Sequence, residues 1–571
     1  MRLWRFFRTL KTGRPTPTWV YTLRKGVYTL SFLALFFIIL QSGLRWRLPP
    51  ALAIFSSILD YAVFLSYLAD AILNFYFTFP KRDYFKNNWL DILVFVPFIL
   101  NIVGPRSGVG IIVIRHLVVL VKAYTRTRKF SSLIRGVRLN TAQVVALSFI
   151  GAILLGTVLL TFPTATKDGR GTSFIDAIFT ATSATCVTGL IVQDTPAYFS
   201  TFGQMVILVL IQLGGLGIMT YSAFLALVFG RFTLGRRRVV QEMMDEERNV
   251  LSMIYYIFKM TFLIETIGAL ILFLRWIFYF KNPTQTVYLS IFHSISAFCN
   301  AGFSLFSNSL EGFVNDPVVN LVIMSLIIFG GLGFIVVYEI VNRIKNKRKM
   351  FTTHTRLVLM TSTILIIAGF LIIFFFEFDG TLLHYPLSGK LWASLFQAVT
   401  PRTAGFNTIA VSSLSTVTLT IIIIFMFIGA SPGSTGGGIK TSTFAILLLS
   451  LRSILKGKED IEVYNRTISS SIVYKAVALA VGSTIVLSFL FILLLVLENK
   501  PFFPLLFEAV SAFGTVGLSM GITPDLTTPG KILIIMLMYA GRIGPLTLGF
   551  ALMRGITRGR VRYPEAKVMI G

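Results

Sequence analysis

The amino-acid sequence reads as an all-α polytopic membrane protein. A four-helix transmembrane domain precedes four pseudo-repeated units, each a span, a pore half-helix, a glycine turn and a second span, set around a common axis. Three observations carry this reading. Of the 571 residues, 55% are hydrophobic and only 13% charged, far from the balance of a soluble domain. Apolar runs such as 28–44, 144–160, 204–228, 357–376 and 473–497 are long enough to cross a hydrocarbon core of about 30 Å as helices. Lipid leaves no partner for an open sheet edge, so multiple helices follow. Third, Thr185-Cys186-Val187-Thr188-Gly189-Leu190, Asn300-Ala301-Gly302-Phe303-Ser304, Thr403-Ala404-Gly405-Phe406-Asn407 and Thr515-Val516-Gly517-Leu518-Ser519 are variants of one pattern. Their glycines recur roughly every 100 to 115 residues.

The chain divides near residue 140. Residues 1–140 hold four spans at about 25–45, 50–78, 88–104 and 108–125. Residues 141–571 hold the four units, at about 141–235, 250–348, 352–455 and 468–555, and a tail, 554–571. Unit one uses 143–162, 173–185, the turn 187–190 and 202–229; unit two uses 252–279, 286–298, 300–304 and 318–342. Unit three uses 356–377, 390–401, 403–407 and 417–450, the last longer than a membrane requires, and unit four uses 470–497, 502–513, 515–519 and 530–553. The stretches before the glycines are too short to span and are therefore re-entrant. Non-helical backbone at membrane depth survives only around a protein-lined or wet cavity, so the four turns should gather at one axis.

The net charge of +28, from 52 Lys and Arg against 24 Asp and Glu, is concentrated between the hydrophobic spans. The clusters are Arg2 to Arg14, Arg126 to Arg138, Arg231 to Arg238, Arg343 to Lys349, Arg452 to Lys458 and Arg554 to Arg562. The connections carrying the turns are poor in Lys and Arg, so the positive-inside bias puts the basic loops and both termini in the cytoplasm. An even number of crossings is required, and about twelve fit. Inside-facing loops account for the charge, and no nucleic-acid partner is expected. Cys186 and Cys299 lie in the repeats and read as small packing residues. No small-residue cleavage site follows the Arg-rich start.

Each turn needs glycine because consecutive carbonyls can point inward only if some residue adopts dihedrals that a side chain penalises. Such a ring of carbonyls is a way to strip and hold a monovalent cation. The filter residues on this reading are Val187, Thr188 and Gly189; Asn300, Ala301 and Gly302; Thr403, Ala404 and Gly405; and Thr515, Val516 and Gly517. Each half-helix directs its negative dipole end toward the axis.

At these residues the chain resembles the Trk/Ktr/HKT superfamily of potassium and sodium transport proteins, most of all the bacterial Ktr-type channel subunit. Further matching motifs are Gln212-Leu213-Gly214-Gly215-Leu216-Gly217, Ser296 through Phe303, Gly330-Gly331-Leu332-Gly333-Phe334, Ser431 through Lys440 and Gly541-Arg542-Ile543-Gly544-Pro545. The resemblance implies a K⁺ pore in a bacterial cytoplasmic membrane, formed by a homodimer of single-chain pseudo-tetramers. It also implies that a filter glycine in the first repeat, here Gly189, goes with K⁺ permeation, with Na⁺ a coupling ion or competitor in some members. The tail resembles one that contacts a cytoplasmic nucleotide-binding ring, which would be the regulatory partner.

Gly429 to Lys440 interrupts the second span of unit three with residues that cannot hold a straight helix. By the resemblance it is an intramembrane loop below the filter that blocks or opens the pore, with Gly429, Ser431, Gly433, Ser434, Thr435, Gly436, Gly437, Gly438 and Lys440 in the gate; a packing kink is the other reading. Arg542 lies in an apolar stretch where an unpaired cation costs at least a few kcal/mol. It is either a structural ion pair or an electrostatic barrier beside the loop. Lys440 either shares that part or snorkels to the cytoplasm. Glu265 and Glu377 read as structural.

Within the first domain, Asp60, Tyr67, Asp70 and the segment from Tyr84 to Phe98, with Asp91, resemble the second and third helices of voltage-sensor domains. The fourth span then supplies Arg115 and Lys122. A gating helix needs a cation at every third position, yet Val118 and Val121 stand there, so a scaffold whose acids neutralise Arg115 and Lys122 competes with a sensor. Rivals to K⁺ uptake are a Na⁺-selective or Na⁺-coupled member of the superfamily and the potassium-binding subunit of a P-type pump. An enzyme is not expected, since neither GxxxxGK[ST] nor HExxH occurs.

Overall fold

The structure, a computed structural model, describes residues 141–217, 250–345, 350–458 and 460–552, besides the isolated positions 62, 65 and 69. The sensor-like residues Asp60, Tyr67, Asp70, Asp91, Arg115 and Lys122, the tail 554–571 and the basic stretch 231–238 lie outside the described residues.

Unit one comprises α1 (Thr141–Leu160), the half-helix α2 (Phe174–Thr185) and α3 (Thr201–Gly215). Unit two has α4 (Val250–Trp276), α5 (Pro283–Phe298), α6 (Pro317–Leu332) and α7 (Phe334–Lys345). Unit three follows with α8 (Thr353–Glu377), α9 (Leu387–Val399), α10 (Thr416–Phe427) and α11 (Thr441–Leu455). Unit four has α12 (Ser470–Leu497), α13 (Phe502–Gly514), α14 (Thr528–Ile543) and α15 (Pro545–Leu552).

The first span of every unit is unbroken, and these four helices are the ones long and apolar enough to cross a membrane singly among the described residues. Their outward faces leave helical stripes exposed, as at Phe262, Leu263, Ile267, Leu270 and Leu274 on α4. Such stripes suit a lipid surround. The half-helices sit inside, with Phe179, Phe292, Phe298, Phe396, Phe507 and Phe513 enclosed. Their starts are set by capping: the Ser173 hydroxyl accepts from the Asp176 amide at α2, and Asn282 accepts from Thr284 and Gln285 at α5, where Pro283 needs no partner for its nitrogen.

The second spans depart from the straight helices expected at 318–342 and 530–553. Gly333, at φ 91°, ends α6, and α7 leaves at a bend of 106°. Gly544, at φ 85°, separates α14 from α15. Left-handed φ cannot continue an α-helix, and glycine reaches it without a Cβ penalty. The described part of the span expected at 202–229 is α3, which ends at Gly215. In unit three the interruption expected at Gly429 to Lys440 is present between α10 and α11.

A small antiparallel hairpin, β1 (Ile461–Val463) and β2 (Arg466–Ile468), joins α11 to α12 and was not read from the sequence. Ile461 and Val463 pack with Leu357 and Ala445.

Candidate functional site

The four glycine turns close into a ring. A Cβ built on Gly189 would lie 2.6 Å from the Ala301 carbonyl oxygen, one on Gly302 would lie 3.0 Å from the Cα of Gly405, and one on Gly405 would lie 2.5 Å from the Val516 oxygen. One on Gly517 would overlap the Thr188 oxygen, so unit four meets unit one. All four glycines have positive φ, between 70° and 94°. Two residues before each, Val187, Asn300, Thr403 and Thr515 also stand in the left-handed region, at φ 52° to 71°. For a side-chain-bearing residue that conformation costs about 1–2 kcal/mol.

Amide bookkeeping tells which way the turn carbonyls face. Thr188 N–H donates to the Ser183 carbonyl at 2.8 Å, Ala301 N–H to Ser296 at 2.8 Å, Ala404 N–H to Thr400 at 2.9 Å and Val516 N–H to Ser511 at 2.9 Å. Every one of these amides points back into the end of its own half-helix. In a planar trans peptide the preceding carbonyl points the opposite way, so those of Val187, Asn300, Thr403 and Thr515 face away from the half-helices.

Serine and threonine hydroxyls brace the turns in two modes. Ser183 Oγ accepts from Gly189 N–H and Ser511 Oγ from Gly517 N–H, each at 3.1 Å. Ser296 instead donates to the Phe303 carbonyl at 2.7 Å, and Thr400 to the Phe406 carbonyl at 2.5 Å. Among the described residues, the buried Thr185 and Thr188 hydroxyls have no partner.

Against the inner ends of turns three and four lies the segment between α10 and α11. Its backbone bonds are accounted for largely by neighbours. Ser431 and Thr435 N–H donate to Gly331 and Gly330 at 3.0 and 3.2 Å, and Gly433 accepts from Phe334 N–H at 3.0 Å. Gly437 N–H donates to Thr515 Oγ1 at 2.9 Å. A Cβ on Gly436 would overlap Thr403 Oγ1, and one on Gly437 would overlap Thr515 Oγ1. Gly433 and Gly438 take φ of 69° and 67°. Gly429 N–H reaches Ile439 O at 2.8 Å, closing the base of the loop, and among the described residues the buried Ser434 hydroxyl has no partner.

Arg542 is buried and donates to the Thr435 and Gly214 carbonyls, joining the loop to α3. Among the described residues it makes no ion pair, so its two partners are backbone carbonyls rather than the carboxylate one sequence reading allowed. Lys440 Nζ donates to Gly436 O at 2.6 Å, within the loop. Glu265 accepts from Gln212 Nε2 at 3.3 Å, and Glu377 accepts from Ser415 N–H and Oγ–H at the start of α10. Cys186 and Cys299 are free and buried.

Sequence reasoning missed Glu508 as a support of the ring and gave Arg402, the first residue of the motif at turn three, no role of its own. Glu508, buried in α13, accepts from Thr523 Oγ1 at 2.8 Å and Met520 N–H at 3.2 Å, holding the chain beyond turn four. A lone acid inside an apolar half-helix was the available signal. Arg402, buried beside turn three, donates to Ser362 Oγ at 2.9 Å.

The TrkH family model, described as a cation transport protein, matches residues 113–555. Ktr system potassium uptake protein B of Bacillus subtilis (strain 168) is 43% identical over 451 residues, 78% of this chain and 100% of that protein. Potassium/sodium uptake protein NtpJ of Enterococcus hirae is 38% identical over 447 residues, 76% of this chain and 98% of that protein. The crystal structure of the potassium transporter TrkH from Vibrio parahaemolyticus is similar in fold, with a TM-score of 0.61 at 17% identity, covering 86% of this chain and 97% of that one.

Proposed function

The chain belongs to the TrkH family of cation transport proteins, and from that premise we propose that it takes up K⁺ through the ring of glycine turns under the control of the loop at Gly429 to Lys440. The observation that carries this reading is the closure of the four turns on one another with their amides turned back into the half-helices. Carbonyl dipoles left facing an axis replace the hydration shell of a monovalent cation, and four converging half-helix C-termini add their negative ends.

On this reading the ion enters on the side away from the basic loops and is dehydrated at Val187 to Gly189, Asn300 to Gly302, Thr403 to Gly405 and Thr515 to Gly517. It then meets the glycine-rich loop beneath turns three and four. Arg542 holds that loop through the Thr435 carbonyl, and its charge, with that of Lys440, opposes a cation passing below the filter. Passage is downhill and needs no ATP, which separates it from a P-type pump subunit. A homodimer on a cytoplasmic nucleotide-binding ring is part of the same proposal, tested by co-purification from native membranes.

Purified protein in ATP-free vesicles tests the function: K⁺ should enter down its gradient in preference to Na⁺. Absence of flux, or flux of Na⁺ alone, overturns it. The name of the Enterococcus hirae relative supports a second reading, in which Na⁺ accompanies K⁺. A K⁺ flux that rises with a Na⁺ gradient would select that one.

A further inference from the structure

The bend at Gly333 sends α7 across the end of α6 rather than onward through a membrane. Its first turns face inward, with Phe334, Val336 and Val337 buried. Its middle is tied to the end of a span: Glu339 accepts from Thr352 N–H at 3.1 Å and from Thr352 Oγ1 at 3.0 Å, and Thr352 caps α8. The last turn of α7 is therefore level with the start of α8, a helix long and apolar enough to span a membrane, and the charge pattern of the sequence puts that end on the side of the basic loops.

At that level a cleft of about 450 Å³ opens between Ile340, Arg343, Ile344 and Phe351. Two properties of its rim differ from an ordinary soluble surface. Ile344 is 74% and Met350 77% exposed, so large apolar side chains stand free at the end of α7 and just before Phe351 in the chain. Beside them the Arg343 guanidinium stands 4.3 Å from the centre of the Phe351 ring. Arg343 and Lys345 are exposed and, among the described residues, make no ion pair. The nearest acid on the helix, Glu339, spends both oxygens on Thr352.

We infer that this cleft binds an anionic glycerophospholipid of the leaflet on the basic-loop side, its phosphate on Arg343 with Lys345 beside it and an acyl chain along Ile340, Ile344 and Phe351. Unneutralised cations at an interface attract anionic headgroups, and the apolar wall adds what a free phosphate could not use. A second copy of the chain fits less well, because a twofold contact here would set Arg343 and Lys345 against themselves.

The site also has a mechanical connection. Phe334 N–H, at the start of α7, donates to the Gly433 carbonyl at 3.0 Å, and a Cβ on Gly333 would lie 2.5 Å from Pro432 O. A lipid that fixes the far end of α7 thus steadies the arm on which the proposed gate loop rests. This consequence depends on the function proposed above; binding itself does not.

The test uses the full chain in neutral detergent, titrated with phosphatidylglycerol or phosphatidylcholine of the same chains and followed by native mass spectrometry. Phosphatidylglycerol should be retained in preference, Arg343→Gln and Lys345→Gln should each lower its binding about fivefold, and phosphatidylcholine should be unaffected. Millimolar inorganic phosphate should not displace it. Ile344→Ser, at an exposed position, should weaken retention without changing headgroup preference. Equal binding of the two lipids, displacement by phosphate, or variants that change the oligomeric mass while leaving lipid bound would overturn the site. Loss of lipid with unchanged K⁺ flux would remove the mechanical link alone.

Discussion

Lys531 donates to Asp176 at 2.7 Å, and both side chains are mostly shielded, at 14% and 16% exposure. The pair joins α14 of the last unit to the half-helix of the first, the one junction of the ring that consecutive units do not supply. Tyr539, on the same helix, donates to the Ala146 carbonyl at 2.9 Å, and Arg542 reaches Gly214. One helix therefore seals the ring with three polar side chains. Removing one charge from the pair, as in Asp176→Asn or Lys531→Met, is expected to cost about 1–2 kcal/mol, between the values for exposed and buried pairs. The exchanged double variant, Asp176→Lys with Lys531→Asp, should recover most of it. Thermal unfolding in detergent measures this, and a double variant no better than the singles would count against a specific clamp.

Gly189→Ser tests the ring directly. The added Cβ would press on the Ala301 carbonyl at 2.6 Å in a backbone conformation that side chains resist. The expected result is a fall of about tenfold or more in the K⁺ to Na⁺ flux ratio, equivalent to about 1.4 kcal/mol of discrimination. Unchanged selectivity would remove Gly189 from the proposed filter.

The turns were legible because each joins a helix too short to span to a glycine at a fixed interval, two signals that survive without a structure. The break at Gly429 to Lys440 was legible for the same reason, since no run of Gly, Ser and Pro sustains a helix. The bends at Gly333 and Gly544 were not, because a single glycine in an apolar run looks the same whether it packs closely or turns the chain. Arg542 was visible as a buried cation, but its partners were not: they are carbonyls of Thr435 and Gly214, and a carbonyl carries no residue identity. Three-residue strands such as Ile461–Val463 are too short to show a period.

Arg542 also separates two ways a cation can oppose flow. Arg542→Gln removes both charge and clamp; Arg542→Lys keeps the charge but cannot span two carbonyls with a planar fork. If the clamp holds the loop closed, both variants should conduct K⁺ faster than the native protein in ATP-free vesicles, by about tenfold for the glutamine variant, since about 1.4 kcal/mol corresponds to that factor. A lysine variant that conducts like the native protein would assign the effect to charge alone.

Acid should stabilise the fold at Glu311, where units two and three meet, by relieving a half-buried charge. Glu311, in the connection after turn two, accepts from Asn407 Nδ2 at 2.9 Å beside turn three. Burial raises its carboxyl above the ordinary value of 4.5, although the Asn407 hydrogen bond pulls the other way. A carboxyl raised on folding binds more protons in the folded state, so its contribution is full below the ordinary value and is lost as pH rises through the raised one. Glu311→Gln has no such proton. The stability of the native protein relative to this variant should therefore grow as pH is lowered from neutrality and level off below about 4.5. Unfolding midpoints of the two proteins across that range measure the difference, and a gap that is constant, or that closes on acidification, would contradict the assignment.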